Sequence, residues 1–282
     1  MSFADILLRL DRRFVFLAIM LVVLVPYVHP IGLPIRVSHE SEAFFAAIEE
    51  VPEGSTVLLS ADYDPGSMPE LLPMTQSALE QCFRRNLKVV GMCLWPAGPP
   101  LLDRAFATVA PKYGKVYGKD YVNLGFKQGQ EAVMVRVGAS IPETFPADYA
   151  GRPVGEFEVM RGVQNLSSVN ILINISAGYP GTKEWVQQVG QRFPNALGHP
   201  MPIVSGCTAV SAPEYYAYVS TGQLKGLLGG LAGAAEYEDL VHVKGTATRG
   251  MDGQSLAHLA IIFFILLGNG LQHLTRRGSH AA

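Results

Sequence analysis

Apolar positions along this chain fall into three kinds of run, and each kind predicts a different element. Near the start, Phe14 to Val28 (FVFLAIMLVVLVPYV) carries no charge, and no Asp, Glu, Lys or Arg occurs between Arg13 and Arg36. A helix that crosses the hydrocarbon core needs roughly 20 apolar residues. Residues 14–35 are therefore expected to hold a first transmembrane helix and its exit, with Pro26 near the far end, where a break is tolerated. A second uncharged stretch covers 253–275, centred on Leu256 to Leu267 (LAHLAIIFFILL), and predicts a second span. A signal peptide is the rival for the first run, but the residues after it (PYVHPIGLP) lack a small-residue cleavage pattern. A buried core helix is the rival for the second, and the Arg276-Arg277 pair that follows suits a membrane exit better.

Between these runs the pattern changes to short continuous apolar stretches alternating with amphipathic ones. Thr56 to Ala61, Leu87 to Leu94, Val169 to Ser176 and Met201 to Cys207 read as strands buried on both faces, the signature of a parallel sheet. Helices are expected over Ser38 to Glu50, from Ser67 to about Arg85, and over Leu101 to Ala110, Thr182 to Phe193 and Ala212 to Ser220. Ser38 is placed as an N-cap, and Ser67 with Glu70 has capping-box spacing. Strand and helix in alternation predict an α/β class fold, a Rossmann-like, mostly parallel sheet flanked by helices and inserted between the two transmembrane helices. Strand-turn-helix units at Ala61 to Gly66 and Ala177 to Gly181 echo each other, through duplication or through shared turn chemistry. Lys112 to Gly162 is less regular: Asn123 to Gly129 is turn-rich, Glu131 to Val137 leans towards helix, and Pro142, Pro146 and Pro153 mark a long loop of the kind that serves function or partners.

A last helix is expected over Gln223 to Leu240. On it Gly222, Gly226, Gly230 and Ala234 recur every four residues, with Gly229 and Gly233 beside them. Each interior helical glycine costs about 1 kcal/mol against alanine, so a compensating close packing is implied, against the domain's own sheet or a neighbouring subunit. These six residues are the candidate interface.

Charge then orients the chain. Arg9, Arg12 and Arg13 precede the first run and only Arg36 follows closely, which places both tails in the cytoplasm and the middle outside. The expected organisation is an amphipathic segment over 1–13, with Phe3, Ile6, Leu7 and Leu10 on one face, then the first span over 14–35. An extracytoplasmic α/β domain over 36–250, the second span over 253–275 and a cytoplasmic tail over 276–282 follow. Charged residues make up 16% and apolar ones 49% of the chain, and the net charge of −2 leaves no electrostatic footprint for nucleic acid. Cys82, Cys93 and Cys207 form neither a disulfide framework nor a zinc pattern, and Cys93 and Cys207, in apolar strand-like stretches, read as small buried hydrophobes.

Candidate chemistry is sparse. Doubly wound sheets bind ligands outside the carboxyl ends of their strands, which here carry Asp62, Asp64, Trp95, Ser176, Gly178, Ser205, Cys207 and Thr208. Asp62 and Asp64 have the oxygen chemistry of a divalent-cation site, and equally that of turn residues; Ser205 and Thr208 join them as ligand-binding candidates. Cys207 with His199 is a nucleophile-base pairing that needs the two side chains to meet. Gly178 to Gly181 precedes a helix, where anions are favoured. Asn165 and Asn174 stand in glycosylation sequons, and His258 is an ionisable group within the second span. No nucleotide-binding glycine loop, hydrolase elbow or zincin motif occurs, and no cofactor is implied beyond the possible cation. Two functions follow: a membrane-anchored structural or interaction subunit of a larger, self-associating or heteromeric assembly in the bilayer, or a ligand- or metal-binding, even hydrolytic, ectodomain that uses the Asp62/Asp64 loop.

Overall fold

This computed structural model describes residues 11–29 and 31–279, without side chains beyond His273. The amphipathic segment expected over 1–13 and the end of the 276–282 tail fall largely outside the described residues. The chain divides into two units, Ile35–Ala247 and a terminal pair of segments.

The larger unit is built on six parallel strands: β1 (Thr56–Asp62), β2 (Lys88–Cys93), β3 (Tyr121–Phe126), β4 (Ile171–Ser176), β5 (Ile203–Cys207) and β6 (Gly226–Gly229). Their order in the sheet is β3-β2-β1-β4-β5-β6, the doubly wound Rossmann-like order, which reverses between β1 and β4. Helices α2 (His39–Glu49), α3 (Met68–Arg84), α4 (Gly98–Val109) and α9 (Gly230–Leu240) pack together over one face. Over the other lie α5 (Glu131–Ala139), α7 (Thr182–Trp185) with its π-helical continuation Val186–Gly190, and α8 (Ala212–Ser220). A short α6 (Ile141–Thr144) follows α5.

The first and last helices of this layer are tied by polar contacts. Ser38 caps α2 as expected, its Oγ accepting from the Ser41 amide, and it donates to the Glu236 carboxylate of α9 at 2.5 Å. Phe44 meets Tyr237 edge-on with ring centroids 4.9 Å apart, and the Tyr237 hydroxyl bonds Gln81 of α3. At the start of α3 the Ser67/Glu70 box does not form. Asp64 accepts from the Gly66 and Ser67 amides instead, and Glu70 accepts from the Ala209 amide after β5.

Two strands escape the hydrophobic pattern. β3 contains Asn123 and Gly125, which read as turn residues. Asn123 is nevertheless buried, donating to the Pro99 carbonyl and the Asp103 carboxylate while accepting from the Gly125 amide. β6 is only four residues long and falls inside the expected helix Gln223 to Leu240, which begins at Gly230 instead. The four-residue recurrence is therefore not one helix face, because Gly222 and Gly226 precede the helix. Gly226, Gly229, Gly230 and Gly233 each meet a neighbour within the domain. A Cβ on Gly226 would lie 2.2 Å from the Phe44 amide nitrogen, one on Gly230 2.5 Å from the Ala209 Cβ, one on Gly233 2.9 Å from the Leu228 carbonyl carbon. Gly229 faces Ala212, Ala234 is buried, and Gly222 has open space around it.

The long proline-rich segment is not a free loop. Phe145, Val154, Val159, Val163, Leu166 and Val169 are buried in the same core as α5 and the sheet. Asp148 fixes its bend by accepting from the Tyr117 hydroxyl at 2.8 Å and from the Arg152 amide and guanidinium.

In the terminal unit lie α1 (Arg12–Val28) and α10 (Thr246–Ser279), with large exposed apolar side chains over residues 14–28 and 259–266. Among the described residues one helical stretch, Thr246–His273, is long and apolar enough to cross a membrane. The expectation of two such spans is corrected here: α1 has 17 residues, about 25 Å at 1.5 Å per residue, short of the ~30 Å hydrocarbon core. The pair is joined by Asp252, which is buried and accepts from the amides of Ile31, Gly32 and Leu33 at 3.1, 2.8 and 2.9 Å. Gly253 beside it lies against Val23 and Tyr27, so the helices approach closely.

The glycine contacts predict that Gly226→Ala destabilises the protein by about 2–3 kcal/mol, since the obstructing atoms are backbone. Gly155→Ala, with nothing within 4 Å of its Cβ, should change stability by less than about 0.5 kcal/mol. Denaturant unfolding of the full chain in detergent micelles separates the two outcomes.

Candidate functional site

The carboxyl ends of β1, β4 and β5 meet in a buried polar network. Alternation along a strand points Ser60 and Asp62 to the same face, and parallel pairing sets Ser60 beside Asn174 and Asn174 beside Ser205. Thr182, on the first turn of α7, reaches down into this row. The Asp62 carboxylate accepts from Ser60 Oγ at 2.5 Å, from the Leu94 amide at 2.5 Å and from Asn174 Nδ2 at 3.1 Å. Asn174 Oδ1 accepts from Ser176 Oγ at 2.9 Å and from Thr182 Oγ1 at 3.2 Å, and Thr182 pairs with Ser205 Oγ at 2.6 Å. Every member is buried.

Burial dominates the acidity of Asp62. Loss of hydration raises its pKa from 3.8 to about 7, although Ser60, the Leu94 amide, the Trp185 indole and Asn174 all favour the charged form. The Trp185 Nε1–H has no hydrogen-bond partner of ordinary geometry and stands close to this carboxylate.

The structure separates the other sequence candidates. Asp64 lies in the exposed turn after β1, where the amides of Ser67 and Gly66 and the Ser67 hydroxyl hold its pKa below the ordinary value. Asp62 faces the interior, so the two carboxylates do not form a joint cation site. Among the described residues no group of three or more His, Cys, Asp or Glu side chains is arranged to hold a metal ion. Ser205 belongs to the network, whereas Thr208 pairs with Ser211 at the start of α8. Cys207 closes β5 and His199 precedes it, so nucleophile and base stand at opposite ends of the strand. All three thiols are free and buried, and burial pushes Cys82 and Cys207 up to about 12 and raises Cys93 well above its ordinary value. The start of α7 is occupied by the chain itself, since the Gly181 amide donates to Glu184 at 2.8 Å. Asn174 is inaccessible as a sequon, and His258 lies exposed on α10.

Above the network is a cleft of about 360 Å³ walled by the loops after β2, β3 and β4. Trp95 and Pro96 come from the first loop, Phe126, Gln128 and Gln130 from the second, Tyr179 and Pro180 from the third. Trp95 Nε1 donates to the Pro180 carbonyl at 3.3 Å, and the Tyr179 hydroxyl bonds Gln130 and Glu131 at 2.9–3.0 Å. Since the Leu94 amide donates to Asp62 and Ser176 bonds Asn174, the network anchors two of the three walls from below. A larger concavity of about 390 Å³, with His199, Asn195 and Lys225 in its lining, lies at the opposite, amino ends of β4 and β5. The strand-end pattern pointed to Asp62, Ser205 and Trp95. It missed Asn174, Thr182 and the Phe126–Gln130 loop, the last because β3 itself was not legible.

No family model matches this chain, and no curated protein matches it significantly. Among solved structures, a trehalose-6-phosphate synthase is similar at 12% identity and a TM-score of 0.32, over 89% of this chain and 48% of that one. The chain thus spans about half the length of that structure, and a likeness this weak assigns no activity.

The acidity of Asp62 has a definite sign for stability. Between pH 3.8 and about 7 the native state holds a proton that the unfolded chain releases, so stability falls as pH rises through this window and levels off above it. The loss is on the order of 4 kcal/mol. Asp62→Asn should flatten this slope and melt higher than the native chain at pH 8, as read by thermal unfolding across pH.

Proposed function

We propose that this chain is a membrane-held interaction subunit: an α/β domain anchored to the bilayer by its C-terminal helix α10 and engaged with protein partners, its own copies included. The observation that carries the reading is the apolar surface of α10. Leu259, Ile262, Phe263, Ile265 and Leu266 are all more than half exposed. A continuous apolar surface of this kind belongs against lipid or another protein. Helix α1 supports the same reading, being apolar and joined to α10 through Asp252. The arginines ahead of α1 favour tails in the cytoplasm and the domain outside. At the strand ends, the polar side chains are committed to one another, which suits a rigid recognition surface better than a reaction centre.

After alkaline carbonate extraction the full-length chain is expected to remain with the membrane pellet. In mild detergent it is expected to sediment as an oligomer or to retain a co-purifying protein. Release by carbonate contradicts the anchor; a lone monomer at every concentration, with nothing bound, contradicts the assembly.

A further inference from the structure

The cleft at the carboxyl ends of β2, β3 and β4 has a lining chemistry of its own. Three aromatic rings, Trp95, Phe126 and Tyr179, stand around it with the amides of Gln128 and Gln130, and among the described residues no Lys, Arg, His, Asp or Glu lines it. Phe126 is 37% and Tyr179 54% exposed, whereas the large aromatics of the domain core, such as Phe44, Phe106 and Tyr237, are buried. Exposed rings gathered at one concavity mark a surface that contacts something. Two of them are held in place: Trp95 by its bond to the Pro180 carbonyl, Tyr179 by Gln130 and Glu131. The backbone at Gln130 is also held at φ +51 and ψ −126, a conformation costly for any residue but glycine. Such outliers persist where the surroundings enforce them, commonly at binding sites.

We propose that this cleft binds a neutral, hydroxyl-rich ring, the pyranose of a carbohydrate. A sugar ring presents C–H faces that pack on aromatic rings and a rim of hydroxyls that both donate and accept. The side-chain amides of Gln128 and Gln130 offer both functions in return. The lack of a cationic side chain among the lining residues disfavours a phosphorylated or carboxylated ligand, which would lose hydration on entering the cleft. The volume, near 360 Å³, is at the small end of ligand sites, enough for a short glycan end rather than a long cofactor. This inference stands apart from the anchoring and assembly reading, since it concerns what the strand ends recognise wherever the domain is held.

The chain carries two tryptophans, Trp95 at the cleft and Trp185 in the core, so intrinsic fluorescence reports the site directly. The full-length protein in detergent free of sugar headgroups is titrated with glucose, galactose, mannose, N-acetylglucosamine and their disaccharides, and with adenosine and glucose 6-phosphate. Saturable change with at least one neutral sugar is expected, absent in Trp95→Phe, whose Trp185 emission still reports a folded core. Phe126→Ala and Gln128→Ala change exposed side chains and should each weaken binding roughly tenfold without altering the melt. No response to any neutral sugar overturns the proposal. So does binding of adenosine or the phosphorylated sugar in preference to all of them, or a response that survives the cleft substitutions.

Discussion

Helix α10 carries an exposed apolar surface through Leu259, Phe263 and Leu266, and that surface sets the conditions for the proposed anchoring. Leu259, Phe263 and Leu266 left against water cost roughly 25 cal/mol per Å² of apolar area, a cost that lipid or a protein partner would remove. The connection to α1 then follows from a polar constraint. Asp252, buried beside Gly253, satisfies its carboxylate with three consecutive backbone amides from the segment after α1. A carboxylate in such a place must be hydrogen-bonded to be tolerated, so the two terminal segments are obliged to meet although they are far apart in sequence.

Within the α/β domain, Asp62 plays a comparable organising part at the carboxyl edge of the sheet. It joins the end of β1 to the amide after β2 and, through Asn174 and Thr182, to β4, α7 and β5. Its burial explains both its raised pKa and its unsuitability as a cation ligand. The cleft above it inherits rigidity from this arrangement, because the loops that wall it begin where the network ends. Recognition on a rigid edge avoids the cost of ordering loops on binding.

Much of this fold was legible in the sequence. The four expected strands exist, because a parallel sheet buried on both faces demands unbroken apolar runs, and such runs have few other uses. β3 and β6 were hidden by the residues that make them work. Asn123 and Gly125 imitate a turn while stitching β3 to α4, and the glycines of β6 imitate a small-residue helix face while admitting the backbone of α2. The long proline-rich segment read as an open loop because its apolar residues follow no period, yet they fill the core. At the candidate site, Asp62 and Ser205 were visible from their positions at strand ends. Their partners Asn174 and Thr182 were not, since only strand register and the placement of α7 bring them together. The separation of Asp62 from Asp64 follows from the pleat: residues two apart share a face only while the strand continues, and β1 stops at Asp62.

The proposed placement of the α/β domain, outside the membrane and held by α10, can be read from a single introduced thiol. Val210 is 92% exposed on the domain, and the native cysteines are buried. In intact cells carrying the full chain with Val210→Cys, a membrane-impermeant maleimide is predicted to label the protein to the extent seen after lysis. The chain without the substitution should stay unlabelled. Labelling of Val210→Cys only after the membrane is opened would contradict the account.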